Sequence, residues 1–352
     1  MKIGLFGFAG SGKTTVFNLL TGLAADTSPG AGSKGKANLG VTRVPDPRVD
    51  FLAKVFEPKK TTYAEIHFAD MPGQAPSKTS GGLSPQVVGD LRPLDVLALV
   101  LRAFESPMLD SKPDPLRDFE AMEAELMLAD QPLVEKRLER LRKEKGPEQE
   151  REREALERCL EHLEAEKPLR TLDLRDDQWQ ALRGFRFLSQ KRLLVLLNTP
   201  ESAPAAPFPA LEERLAAAGI PLMKLSATVE AEIQELEAGD RAAFLADLGL
   251  AETGRERFIR LAYGALDLIS FLTSGPDECR AWTIPRGMTA QPAAGRIHSD
   301  LERGFIRAEV IGFEDFQRYG SEAKAKAAGR YRLEGKDYVV QDGDILNIRF
   351  NV

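Results

Sequence analysis

The stretch Gly7-Phe8-Ala9-Gly10-Ser11-Gly12-Lys13-Thr14 constrains this chain more than any other. An apolar run, Ile3 to Phe6, precedes it and reads as a short buried strand. Thr15-Val16-Phe17-Asn18-Leu19-Leu20 follows and can begin a helix. Strand, glycine-rich turn and helix form the setting in which such a loop wraps phosphate. The glycines let the backbone turn sharply and bring its N–H groups close to anionic oxygens. The helix N-terminus adds a partial positive charge. Nucleotide contact is thereby assigned to Gly10, Ser11, Gly12, Lys13, Thr14 and Thr15. Lys13 is the catalytic cation at the β- and γ-phosphates, and the Thr14 hydroxyl is a Mg²⁺ ligand.

With 352 residues, the chain has room for two or three domains of roughly 150 each. A net charge of −6 argues against a surface coated for nucleic acid. From Arg280 to Val352, however, 12 Lys and Arg face 10 Asp and Glu, which points any RNA contact to the C-terminal end. Cys159 and Cys279 give no disulfide framework and no zinc spacing, and His67, His162 and His298 stand alone. No apolar run approaches the ~20 residues of a membrane span. The N-terminal apolar stretch is broken by glycines and by Lys13, unlike a signal peptide. The expectation is a cytoplasmic monomer with no membrane partner and no DNA sequence recognition.

Strands and helices alternate through the first third. Thr27 to Asn38 reads as a mobile loop, Thr62 to Ala69 as a strand, and Leu94 to Val100 as a buried parallel strand. Leu193 to Leu197 and Leu222 to Leu225 are two more, so an α/β doubly wound parallel sheet is expected. Between Pro115 and Pro168 the spacing of Met122, Leu126, Ala129 and Leu133, then Leu156, Leu160 and Leu163, predicts an antiparallel helical hairpin. Asp130 with Pro132 marks a place where its first helix can break. Beyond Asp267 the pattern is that of a small α+β domain. It has strands at Arg280–Ile284 and Ile306–Ile311, a helix at Ser321–Ala328, and a hairpin joining 338–340 to Ile345–Phe350.

Three later motifs narrow the class. Asp70-Met71-Pro72-Gly73 ends a strand; its carboxylate is placed on Mg²⁺ through water, and the Gly73 amide on the γ-phosphate. Asn198-Thr199-Pro200-Glu201 and Ser226-Ala227-Thr228 end the next two strands. In that order, at C-terminal strand ends, they match the phosphate- and base-reading loops of Ras-like switch NTPases. Asn198, Glu201, Ser226 and Ala227 then surround the base. Thr199 and Glu201 depart from the Asn-Lys-x-Asp of guanine readers, so ATP and GTP both stay open. Gln74, next after Gly73, is the candidate for orienting the attacking water. A small-molecule kinase would need an arginine-rich lid, which is not evident.

Val44-Pro45-Asp46-Pro47-Arg48, Glu125-Leu126-Met127-Leu128-Ala129-Asp130 and the Asn198 loop resemble the YchF family of Obg-like ATPases. So do Arg280-Ala281-Trp282-Thr283-Ile284-Pro285, Ala293 to His298, Gly304 to Ala308 and Glu334 to Tyr338 near the C-terminus. The resemblance spans essentially the whole chain. It implies a P-loop NTPase (G) domain over 1–114 and 190–266, interrupted by a helical coiled-coil hairpin over 115–189. A TGS (ubiquitin-like) domain over 267–352 would follow. It further implies ATP, or GTP, hydrolysis with Mg²⁺, ribosome or RNA association, and a role in translation or stress response. The chain also departs from the family. Gly10 stands where Asn, linked to potassium dependence, is common. The switch I stretch Lys34-Gly35-Lys36-Ala37-Asn38 lacks the family's Thr. Gln74 replaces an apolar residue, and Ala75 to Gly82 differs from the usual switch II. A nucleotide-binding scaffold with little hydrolysis is the alternative this leaves. Lys324, Lys326, Arg330, Arg332 and Lys336 near Tyr319, Tyr331 and Tyr338 offer an RNA surface, or merely a solvated face over core tyrosines.

Overall fold

The computed structural model describes residues 1–27, 37–73, 83–107, 109, 111–203 and 206–351. Along the chain run β1 (Lys2–Phe6), α1 (Lys13–Thr21), β2 (Asn38–Arg43), α2 (Pro47–Phe56), β3 (Lys60–Thr62), β4 (Glu65–Asp70), α3 (Pro85–Leu91) and β5 (Val96–Arg102). Then come α4 (Pro115–Leu141), α5 (Pro147–Glu164), α6 (Asp176–Leu182), β6 (Arg192–Asn198), α7 (Pro209–Ala217), β7 (Leu222–Leu225) and α8 (Ala227–Glu235). The chain divides into two compact units: Met1–Thr42 with His67–Phe258, and Arg43–Ile66 with Ile259–Val352.

The first unit is built on a sheet ordered β2-β4-β1-β5-β6-β7, with β1 paired in parallel to β4 and β5, and β5–β6 and β6–β7 also parallel. Its central strands are apolar throughout; all seven residues of β5 are buried. That is what coverage on both faces requires. Helix starts follow local chemistry. Asp46, Ser84 and Asp114 each accept a backbone N–H of the first turn and precede a proline at the first helical position. α1 buries Val16, Phe17, Leu19 and Leu20 and stops at Gly22, whose φ of 72° suits glycine.

α4 is continuous through Pro132, so the break that Asp130 with Pro132 allowed is not made. Its N-terminal half packs Phe119, Met122 and Leu126 into the core of the sheet, and its C-terminal half packs Val134 and Leu141 against α5. Burial on both sides of the proline outweighs the one helical bond it removes. Arg92 Nη2 also donates to the Ala129 carbonyl at 3.1 Å, one turn earlier. Asp130, fully buried, fixes the return of the chain. It accepts from Leu188 N (2.9 Å), Ser189 N (2.7 Å) and Ser189 Oγ (2.9 Å), with Arg92 at 3.2 Å.

The second unit carries β8 (Leu268–Thr273), β9 (Glu278–Pro285), β10 (Phe305–Gly312), β11 (Arg332–Glu334) and β12 (Asp344–Phe350), ordered β11-β10-β12-β8-β9-β3. Two expectations are corrected here. The single strand 62–69 is two strands in two sheets, with Thr61 of β3 beside Cys279 and Phe68 of β4 beside Ile3. At the join, the Tyr63 hydroxyl donates to Asp50, and the Ala64 carbonyl accepts from Val44 N at 2.8 Å. Alternation marks a strand's faces and is blind to which sheet it joins. The hairpin into 338–340 is also absent. Val340 N donates to the Met288 carbonyl, and β12 pairs antiparallel with β10 and parallel with β8. The Asp344 carboxylate accepts from Gln341 N (2.8 Å) and Tyr338 Oη (2.7 Å), which turns the chain away.

Replacing Asp130 with Ala strands two buried backbone N–H groups. It is expected to cost about 2–4 kcal/mol, read as a lower urea midpoint for the first unit by far-UV circular dichroism.

Candidate functional site

Among the described residues, the loop after β1 with the start of α1, Asp70 and Gly73 after β4, Asn198 after β6 and Ala227 after β7 come together at the C-terminal ends of those strands. Gly7, Gly10 and Gly12 have φ of 142°, 74° and 88°, which confines these positions to glycine. Gly12 caps α1 without a side-chain bond, so the first-turn amides of Lys13, Thr14 and Thr15 lack intrahelical acceptors. A Cβ on Gly12 would lie 2.2 Å from Asn198 Nδ2, and one on Gly10 would lie 2.7 Å from Leu109 Cδ1.

Thr14 Oγ1 donates to Asp70 Oδ2 at 2.8 Å, and Asn38 Nδ2 donates to the same oxygen at 3.1 Å. Asp70 Oδ1 is buried without a partner among the described residues. Burial pushes the Asp70 carboxyl up, while Thr14, Asn38 and the Lys13 charge hold it down. Lys13 is 5% exposed, and its Nζ donates to the Phe8 carbonyl at 2.7 Å. Burial pushes its ammonium down to about 8, with Asp70 acting the other way. A Cβ on Gly73 would sit 3.2 Å from Lys13 Nζ and 2.9 Å from Ala9 Cα, so the chain after β4 lies against the loop after β1.

Asn198 joins the remaining pieces. Its Nδ2 donates to the Ser11 carbonyl (3.2 Å) and its Oδ1 accepts from Ala227 N (3.0 Å). Ser226 caps α8 through Val229 N at 3.5 Å. Glu201 is exposed, and the Ser11 hydroxyl is buried without a partner among the described residues. Gln74, Ala75 to Gly82 and Lys34 to Lys36 lie outside the described residues. Asn38 and Leu109 are site residues that sequence reasoning missed. Asn38 reads only as the end of a switch I stretch lacking its Thr, and a lone Leu carries no motif. Near the C-terminus, Tyr338 donates to Asp344 beneath Arg332, and Lys326 lies over Tyr331 at 5.4 Å, which favours the tyrosines as structural.

A glycine-rich loop between strand and helix, at the end of a parallel sheet and flanked by a strand-end Asp, defines a P-loop NTPase fold. The chain is 37% identical to the ribosome-binding ATPase YchF of Bacillus subtilis (strain 168), over all of both chains. It is 39% identical to that of Escherichia coli O157:H7, over all of this chain and 99% of the relative. A family model described as YchF-GTPase_C, a protein of unknown function (DUF933), matches residues 268–351. The solved structure of the Schizosaccharomyces pombe YchF GTPase superposes with a TM-score of 0.84 at 28% identity, covering 99% of this chain and 97% of that one. This chain belongs to the YchF family.

Gly12→Ala is expected to cost about 1–3 kcal/mol through its φ alone, with a further clash against Asn198. Thermal unfolding of Gly12→Ala, Asn198→Ala and the double variant checks this. The double should be less damaging than the sum by about 0.5 kcal/mol or more.

Proposed function

We propose that this chain binds a purine nucleoside triphosphate with Mg²⁺, hydrolyses ATP with GTP as the alternative, and works on the ribosome in the cytoplasm. The observation that carries the reading is the Asn198 bridge between the Ser11 carbonyl and Ala227 N, which gathers loops after β1, β6 and β7 into one site. The names of the bacterial relatives supply ATP and the ribosome; the yeast relative is titled a GTPase.

The residues fit the ligand. Mg²⁺ keeps several waters and is held by few protein oxygens together with phosphates. Thr14 Oγ1 offers one such oxygen, and Asp70 Oδ1, without a partner among the described residues, suits a water of the ion's shell. The ion would neutralise charge on the phosphates. Lys13 exchanges the Phe8 carbonyl for phosphate oxygens, and the first-turn amides of α1 hold the β-phosphate. Oδ1 of Asn198 is already engaged, so the group it offers a base is the second N–H of Nδ2. That donor suits N7, which adenine and guanine share, so Asn198 does not decide between them. Gln74 is the proposed water-orienting residue. A scaffold with little turnover is the second reading; it is motivated by the Thr missing from the switch I stretch that ends at Asn38, whose amide donates to Asp70. Phosphate release that rises on adding ribosomes is expected and rules the scaffold out.

Lys13→Ala is expected to weaken ATP binding about 10- to 100-fold. Lys13 must also be protonated to hold phosphate. Its free-protein value near 8 is raised by bound phosphate. Above pH 8 binding therefore takes up a proton, and affinity falls as pH rises, by up to about tenfold per unit. Calorimetric titrations with ATP at about pH 7 and about pH 9 measure both the fall and the proton uptake; a flat profile contradicts the assignment.

A further inference from the structure

The connecting end of the α4–α5 hairpin is charged in a way the nucleotide site does not use. Residues 136–145 hold six Lys and Arg against two Glu, in a chain whose net charge is −6. Arg137 takes up Glu144, one of those two carboxylates, and Glu152 of α5. Its Nε and Nη2 donate to Glu152 at 2.8 and 2.7 Å, and its Nη1 and Nη2 to Glu144 at 2.9 and 3.1 Å. This double clamp fixes the turn and leaves the other cations unneutralised. Lys136, Arg140, Arg142, Lys143 and Lys145 are exposed, and among the described residues their side chains make no ion pair or hydrogen bond. Along α5 the pattern is the ordinary one: Arg153 pairs with Glu150 and Glu157, and Arg151 with Asp177. Attraction to the α4 dipole accounts for Arg140, in the last turn. It also covers Arg142, the C-cap, but not Lys143 and Lys145, which lie beyond the cap.

The charge of the C-terminal unit is less concentrated: among the described residues its exposed cations without an ion pair or hydrogen bond, Arg296, Arg307, Lys324 and Lys336 among them, are spread from residue 296 to residue 336. Its arginines are largely spent: Arg286 on Asp267, Arg303 on Asp300, Arg330 on Asp315, Arg332 on Asp344 and Arg349 on Glu309. The hairpin end also lacks what a protein partner uses. The exposed large hydrophobic side chains nearest to it along the chain are Leu128 and Leu248, whereas protein interfaces rely on buried aromatic and apolar anchors. Nucleic-acid interfaces are polar and strongly positive instead.

We propose that the connecting end of the hairpin, through Arg140, Arg142, Lys143 and Lys145, binds the phosphate backbone of RNA. The choice of RNA as the polyanion rests on the ribosome reading above. Each cation neutralises one phosphate and releases counterions, so binding is salt-dependent and insensitive to sequence.

The test compares the full chain with Arg140→Gln/Arg142→Gln/Lys143→Gln/Lys145→Gln. Two probes are used, purified ribosomes and a labelled 16-base-pair RNA duplex, at several salt concentrations. The variant is expected to bind both about tenfold or more weakly at ~0.1 M salt, with log Kd against log salt shallower by about 3–4. ATP affinity and thermal unfolding should be unchanged, since these residues touch neither. Unchanged affinity for both probes overturns the proposal. Weaker ribosome binding with the same salt slope and unchanged duplex binding also overturns it, and assigns the surface to a ribosomal protein. If the full chain binds the duplex through these residues but not ribosomes, the ribosome reading falls and the RNA surface stands. If it binds neither, both fall.

Discussion

The site depends on one buried amide. Asn198 is 5% exposed, and its two ends hold Ser11 and Ala227. Each such bond is worth about 0.5–1.5 kcal/mol net, but losing the side chain would strand a buried carbonyl and a buried N–H together. The glycine at position 12 follows from it, because the amide nitrogen sits where a Cβ would be. The loop after β1 is thus held at two points: Ser11 by Asn198, and Thr14 by Asp70.

That holding concentrates polar groups where water is scarce. Lys13, Asp70 and Ser11 are each at most 5% exposed, and Asp70 Oδ1 and Ser11 Oγ have no partner among the described residues. Leaving such groups unsatisfied costs free energy in the empty state. Phosphates, a cation and its waters would supply partners for them. Electrostatic preorganisation of this kind needs no rearrangement when charge develops.

The sequence made the first unit legible because its signals are local. A glycine-rich turn between an apolar run and Val16-Phe17 is readable without knowing the rest of the chain. So are Asp and Ser caps ahead of prolines, and the four-three spacing of α4. Order along the chain then brought Asp70, Asn198 and Ser226 to one end of the sheet. What failed was non-local. Thr62 and Ile66 share one alternating pattern yet belong to different sheets, and the 338–340 segment is claimed by Met288 and Thr289 rather than by β12. β2 and β8 went unread, the first because Asn38-Leu39-Gly40-Val41 carries two exposed hydrophobics. Pro132 left a break open because helix propensity was weighed without the packing on either side of it. At the site, Asn38 and Leu109 act through position alone.

The way the hairpin is rooted limits how it can be taken apart. β5 and β6 are adjacent and parallel, so the chain must climb back over the sheet between them. The first half of α4 makes that climb, with Phe119, Met122 and Leu126 in the sheet's core. Asp130 then ties it to Leu188 and Ser189, just before β6. The arm has therefore grown out of a crossover helix rather than been spliced between finished elements. A shortened protein that keeps the nucleotide domain intact would have to be cut beyond Asp130 and rejoined ahead of Leu188, not at the borders of the hairpin.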